Sequence, residues 1–179
     1  MANCVSHVQG CDRVSRRDEV VDVAERLLET EGPEALTMRR LGEELGMRAP
    51  SLYKHVTRKD DIVAALQARA LRGQAAALAG DDTLAALASS YRGWARAHPR
   101  LYDLISRHPL DRDALPPGVE AAAAEPLLRA VGGDVARARA VWALAHGLVD
   151  LELAGRFPAD ADLDAAWSVA VGAFEAAAR

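Results

Sequence analysis

Thr37-Met-Arg-Arg-Leu-Gly-Glu-Glu-Leu-Gly-Met-Arg-Ala-Pro-Ser-Leu-Tyr-Lys-His-Val56 reads as two short helices joined by a glycine turn. Thr37 is a capping residue for the first helix, which runs to about Leu45, where Gly46 breaks it. The second helix is expected near Pro50 to Val56. Pro50 suits a first helical turn, because an N–H there would have no intrahelical partner. Leu41 and Leu45 lie on the inner side of the first helix, and Met47 closes the corner. Leu52 and Val56 bury the second helix against the first. The outer face is then left with Ser51, Tyr53, Lys54 and His55, and a second helix held this way can enter a major groove.

The charge of this stretch sets it apart from the rest. The chain has 179 residues and a formal net charge of -4, so taken whole it does not look like a nucleic-acid binder. Between Thr37 and Lys59, however, Arg39, Arg40, Arg48, Lys54, Arg58 and Lys59 face only Glu43 and Glu44, a local net charge of +4. A basic patch on an acidic body is the electrostatic footprint of a DNA-binding head. Arg39, Lys54 and Lys59 supply cations for phosphate oxygens. Tyr53 offers a hydroxyl and a ring, and Ser51 and His55 can bond phosphates or base edges. Helix N-termini at Thr37, Pro50 and Arg58 add free backbone N–H groups. Ala49, expected just before the second helix, cannot cap it with its side chain. A glycine-turn hairpin with solvent-facing charges and a core Tyr53 fits the spacing as well.

Outward from this segment the pattern is helical throughout, and the fold class expected is all-α with about nine helices. Residues 1–14 read as a disordered leader, 15–57 as a three-helix helix-turn-helix head, and 58–179 as a helical body. Ser15-x-x-Asp18 is a capping box opening the first helix, and Gly32-Pro33 closes it. Thr57-x-x-Asp60 reads as a second box, placing the start of the fourth helix near Arg58. Thr83, Asp134 and either Asp160 or Asp162 mark later starts. Pro126 is expected to kink the seventh helix or to open its second half.

Residues 16–65 resemble the TetR family of repressors. The matching residues are Ala24, Leu27 and Glu31-Gly32, then Thr37 and Leu41, then Leu45-Gly46-Met47, then Leu52-Tyr53-x-His55-Val56, then Lys59. Ala49 to Ala65 is similar to the tetracycline-repressor branch. The resemblance implies contacts to duplex operator DNA from Thr37, Arg39, Ser51, Tyr53, Lys54, His55 and Lys59, with Arg48 as a further candidate. Gly42 stands where the family favours alanine, which costs helix stability by up to ~1 kcal/mol. Arg48-Ala49 replaces a frequent small polar cap. Val141 to Val149 also resembles a C-terminal family signature of the Trp-x-x-x-His-Gly type, carried by Trp142, His146 and Gly147.

One short recognition helix reads few bases, so two-fold pairing of heads on a palindrome is expected. Val141, Leu144, Leu148 and Leu151 recur at helical spacing, as do Leu163, Trp167, Val171 and Phe174. These stripes suit a homodimer interface, the alternative being that they face the core of one chain. Tyr91, Trp94, His98, Tyr102, Arg107, Trp142, His146 and Asp150 are polar or aromatic residues among apolar neighbours. They are the candidates for a pocket taking a small organic effector, although Trp94 and Trp142 would also serve as core. Helix 4, joining head to body, is expected to carry the effector's signal.

Other chemistries lack their residues. The five histidines form no HExxH pair, and there is no phosphate-binding glycine loop and no nucleophile elbow, so neither an enzyme nor a cofactor is expected. Cys4, His7 and Cys11 offer three soft ligands where a structural zinc site wants four, so no metal is expected. No uncharged apolar run approaches the ~20 residues of a membrane span, and nothing resembles a signal peptide. The expected location is the cytoplasm.

Overall fold

The computed structural model describes residues 15–56 and 58–176. Among them the chain forms nine α-helices, one 3-10 turn and no strand. The head comprises α1 (Arg16–Glu31), α2 (Met38–Glu44) and α3 (Ala49–Leu52). Then follow α4 (Lys59–Leu78), α5 (Leu84–Ala97), α6 (Pro99–Ser106) and α7 (Val119–Ala130). Last come α8 (Val135–Leu153) and α9 (Leu163–Ala176).

Most starts are set by the side chains that can satisfy orphan N–H groups. Ser15 Oγ accepts from the Asp18 amide at 3.1 Å, while the Ser15 amide donates back to the Asp18 carboxylate at 3.2 Å. The Ser15 hydroxyl, donating to the same carboxylate at 2.8 Å, and the Ser15 amide hold the Asp18 carboxyl below its usual range. Thr37, Thr83 and Asp134 cap α2, α5 and α8 in the same way. Asp162, rather than Asp160, caps α9, accepting from the Ala165 amide at 2.9 Å. Gly32 ends α1 at φ 100°, where its amide reaches back to the carbonyls of Leu27 and Leu28.

Three local expectations change. At α4 the cap is Arg58, whose amide donates to Asp61 at 2.9 Å, so Asp61 and not Asp60 reaches back; Thr57 lies outside the described residues. The leader residues Cys4, His7 and Cys11 lie outside them too. The short helix α3 begins at Ala49 itself, the Arg48 carbonyl accepting from Ser51 at 2.8 Å. It ends as an α-helix at Leu52, and 53–55 continue as tightened turns in which Lys54 and His55 bond three residues back. Pro126 sits buried inside an α7 that runs on through it.

One buried cluster crosses from head to body. Leu27, Leu28, Leu41 and Leu52 belong to it with Ile62, Leu66, Trp94 and Tyr102. Helix α4 is its spine, packing on α1, α5, α6 and α7. Inside this core sits Gln67, 1% exposed. Its amide nitrogen donates to the carbonyls of Leu104 (3.2 Å) and Pro109 (3.0 Å), pinning the end of α6 to α4. Replacing Gln67 with leucine keeps the volume but leaves the buried Leu104 carbonyl and the partly buried Pro109 carbonyl without that donor. Gln67→Leu should therefore destabilise the fold by about 1–3 kcal/mol in a denaturant titration; no loss would mean that the amide is not holding α6.

Candidate nucleic-acid interface

The face between α2 and α4 is built from the burial of one leucine. Leu52 is 0% exposed, with Leu41 and Val56 beside it. Burying Leu52 and Val56 on one side of the segment forces Tyr53 and Lys54 to the other. Tyr53 is 52% exposed and Lys54 is exposed; Ser51 and His55 are half-buried at the edges of the same surface. Thr37 and Arg39 at the start of α2, Arg48 just before α3 and Lys59 at the start of α4 are exposed as well. The Thr37 oxygen is occupied as an acceptor by the Arg40 amide, so its O–H remains to donate outward.

The six cations counted in this stretch divide into two groups. Arg40 is drawn into the head, pairing with Glu31 at 2.8 Å and Glu44 at 2.6 Å. The hydrogen bonds to Glu31 and Glu44 push its guanidinium further up. Arg26 reaches Glu44 as well, at 3.0 Å, and the two arginines together hold the Glu44 carboxyl below its usual range. Arg40 therefore clamps α2 to α1 and belongs to no outward surface. Arg39 meets Glu43 only at 3.5 Å, and its side chain is 89% exposed. Arg48, Lys54, Arg58 and Lys59 form no ion pair among the described residues. These are the cations a phosphate backbone would find available.

A second cluster lies between α5, α6 and α8. The Tyr91 hydroxyl donates to that of Tyr102 at 3.2 Å, and Tyr102 lies 2.6 Å from His146 Nδ1. Burial pushes both phenols up, so they are neutral near neutral pH. Trp142 stacks on His146 at 5.9 Å between ring centres, and Arg107 pairs with Asp150 one helical turn further on. Four of the eight proposed effector residues, Tyr91, Tyr102, His146 and Trp142, thus form one chain of contacts, and Arg107 and Asp150 form a separate pair. Trp94 and His98 do not join it. Trp94 packs across Gly73 of α4, where an added Cβ would meet its Nε1 at 3.2 Å, and its ring lies 5.5 Å from that of His98.

Beside this cluster an apolar cavity opens among α4, α5, α7, α8 and α9. Leu78, Leu87, Tyr91, Val141, Leu148 and Phe174 are among its walls. Its volume is about 60 Å³, well under the ~150 Å³ of an apolar cavity that takes benzene. Leu127 lines the cavity too, and nothing in the sequence sets Leu78, Leu87 and Leu127 apart from any core leucine. Val141, Leu144, Leu148, Trp167, Val171 and Phe174, expected at a dimer interface, line this cavity. Trp167 is buried in the chain's own core, 5.8 Å beneath the Arg92 guanidinium. Leu144 and Leu151 are exposed, and Leu163 is half-buried. No group of three or more potential metal ligands occurs among the described residues, and no helix among them is long and apolar enough to cross a membrane.

Comparison with known proteins accounts for both regions. The family described as bacterial regulatory proteins, tetR family, matches residues 20–66, and the tetracyclin repressor-like C-terminal domain matches residues 84–174. HTH-type transcriptional regulator Rv0681 of Mycobacterium tuberculosis is 33% identical over 169 residues, which cover 85% of this chain and 76% of that protein. HTH-type transcriptional regulator Mb1846 of Mycobacterium bovis is 29% identical over 126 residues, covering 61% of this chain and 54% of that one. Among solved structures, SCO4313 superposes with a TM-score of 0.72 at 27% identity, covering 88% of this chain and 94% of the other. The multidrug binding protein EbrR, complexed with imidazole, superposes with a TM-score of 0.65 at 25% identity, covering 87% and 93%. The chain belongs to the tetR family of bacterial regulatory proteins, and is a helix-turn-helix, DNA-binding transcriptional regulator rather than an enzyme.

Proposed function

We infer that the protein is a repressor that binds a palindromic operator as a homodimer in the cytoplasm and leaves it when a small organic molecule enters the body. The observation that carries the DNA half is the outward face of residues 51–55, with Tyr53 and Lys54 exposed and unpaired cations on either side. Thr37, Arg39, Arg48, Ser51, Tyr53, Lys54, His55 and Lys59 are the contact set. Phosphate contacts come from the cations and hydroxyls, and base edges are read by the side chains of the short helix.

The pairing half is supported by where the apolar surface lies. Apart from Tyr53, every strongly exposed large apolar side chain among the described residues is on α8 or α9: Val135, Trp142, Leu144, Leu151, Leu153 and Val169. Val169 is 73% exposed. A Cβ added at Gly147 meets nothing within 4 Å in this chain, so a helix packing closely there has to come from a second copy. Exposed apolar surface of this extent favours a partner. Two-fold symmetry would then present two heads to one face of a duplex.

The effector half is supported by the cavity and by the ligand of a relative. EbrR was solved with imidazole bound and carries the name of a multidrug binding protein. Here the cavity is smaller than benzene needs, so a larger guest must spread α5, α8 and α9. That displacement is the difference between two states that an effector requires in order to shift an equilibrium. Tyr91 and Trp142 stand at the wall and would supply the few polar contacts.

Two measurements follow. Duplex binding should weaken steeply with salt, and Lys54→Ala should make the slope of log K against log salt shallower by about 0.9, one lost phosphate contact; a wild-type slope near zero would contradict DNA binding through this face. In sedimentation equilibrium the wild type should be a dimer, and Leu144→Glu with Leu151→Glu should shift it to monomer, a charge buried unpaired costing several kcal/mol. A dimer unaffected by both changes would move the interface elsewhere.

A further inference from the structure

Helix α6 is eight residues long, and its parts hold three different elements. Its end is pinned to α4 by Gln67. Its middle supplies Tyr102 to the Tyr91–His146 cluster. Its first turn meets the last turn of α1 through two reciprocal hydrogen bonds. The Leu101 amide donates to Glu29 Oε1 at 2.9 Å, and Arg100 Nη1 donates to the Leu28 carbonyl at 2.9 Å. The first bond satisfies an orphan N–H in the first turn of α6, and the second adds a charged donor to a carbonyl that the Gly32 amide also reaches. Each charge also has the sign its helix end favours: an acid at the N-terminus of α6, a guanidinium at the C-terminus of α1. The backbone at Gly32 comes close enough that an added Cβ would sit 3.4 Å from Arg100 Nη1.

We propose that Glu29 and Arg100 are positioning residues that set the angle of the head on the body, and that a displacement of Tyr102 reaches the head through them. Arg100, Leu101 and Tyr102 are consecutive, so the residues that grip α1 and the residue that faces the inner cluster cannot move independently. This route stands beside α4, the connection the sequence suggests. It rests on the DNA-binding face described above, because the head angle matters only if two heads must fit one duplex.

The test uses the full chain with Cys4 and Cys11 replaced by serine. Spin labels are placed at Arg17→Cys on α1 and Ala122→Cys on α7, both exposed. Labelled chain is diluted into unlabelled chain, and the label-to-label distance distribution is measured. The parent should give one narrow distribution. Glu29→Ala and Arg100→Ala should broaden or shift it, while Glu29→Gln, which keeps a carbonyl acceptor for Leu101, should retain it. Tyr102→Phe should shift the distribution in the parent and not in the Glu29→Ala/Arg100→Ala background.

Affinity for a palindromic duplex selected by the wild type should fall by about 2- to 30-fold in each alanine variant, within the range of coupling residues that touch neither ligand. The salt slope should stay unchanged, because no phosphate contact is lost. Unaltered distances in folded alanine variants would overturn the joint. So would a slope shallower by about 0.9 in Arg100→Ala, which would make Arg100 a phosphate contact. Should Arg100→Ala fail to fold, Arg100→Gln keeps most of the stem and is read the same way. If the wild type selects no duplex, the DNA reading fails, and the distance measurement still decides the joint.

Discussion

The burial of Leu52 decides which way the recognition segment points. With no accessible surface of its own, this side chain ties α3 to the core that also holds Leu41 and Val56. The segment is too short to be stable alone, so its orientation comes from tertiary packing rather than from helix propensity. Everything outward follows from that one inward residue. Tyr53 and Lys54 are exposed because they share a turn with Leu52 and point away from it. A polar residue at 52 would remove the reason for the surface to exist.

Electrostatics in the head then separates structure from function. Arg40 and Arg26 converge on Glu44, and Arg69 on Asp22 and Glu25, so arginines and acids on α1, α2 and α4 hold the head together. These pairs are largely at the surface and individually weak, but they fix the relative placement of three helices as a network. Arg48, Lys54, Arg58 and Lys59 form no ion pair among the described residues, and Arg39 meets only Glu43. The same residue type thus does two jobs, and only the position of the nearest carboxylate tells them apart. In the body Arg92 does a related job, gripping Glu152 at 2.8 Å and 3.0 Å to tie α5 to α8.

What the sequence makes legible is local. Capping boxes and glycine stops are decided within four residues, so the starts of α1, α2, α5 and α8 can be read from Ser15, Thr37, Thr83 and Asp134. The fourth helix shows the limit of that reasoning. Thr57-x-x-Asp60 and Arg58-x-x-Asp61 are adjacent frames, and a threonine is the better cap by side chain, yet Arg58 holds the cap with Asp61 reaching back. Long-range pairing is not legible at all. Nothing in the pattern connects Glu29 with Leu101, Gln67 with Pro109, or Arg40 with Glu31. For the same reason the stripe Val141, Leu148, Val171 and Phe174 could not be divided from Leu144 and Leu151 until the helices were placed. The first group lines the cavity of one chain, Leu144 both lines it and is exposed, and Leu151 faces out.

The central claim is that the surface turned outward by Leu52 reads duplex sequence as a symmetric pair. Unbiased selection of random-sequence duplex by the purified protein tests it most directly. The account predicts enrichment of an inverted repeat whose half-sites are spaced by about one helical turn of DNA or a multiple of it, and loss of that enrichment in Tyr53→Ala. Recovery of no preferred sequence, of an asymmetric site, or of the same palindrome by Tyr53→Ala would contradict it.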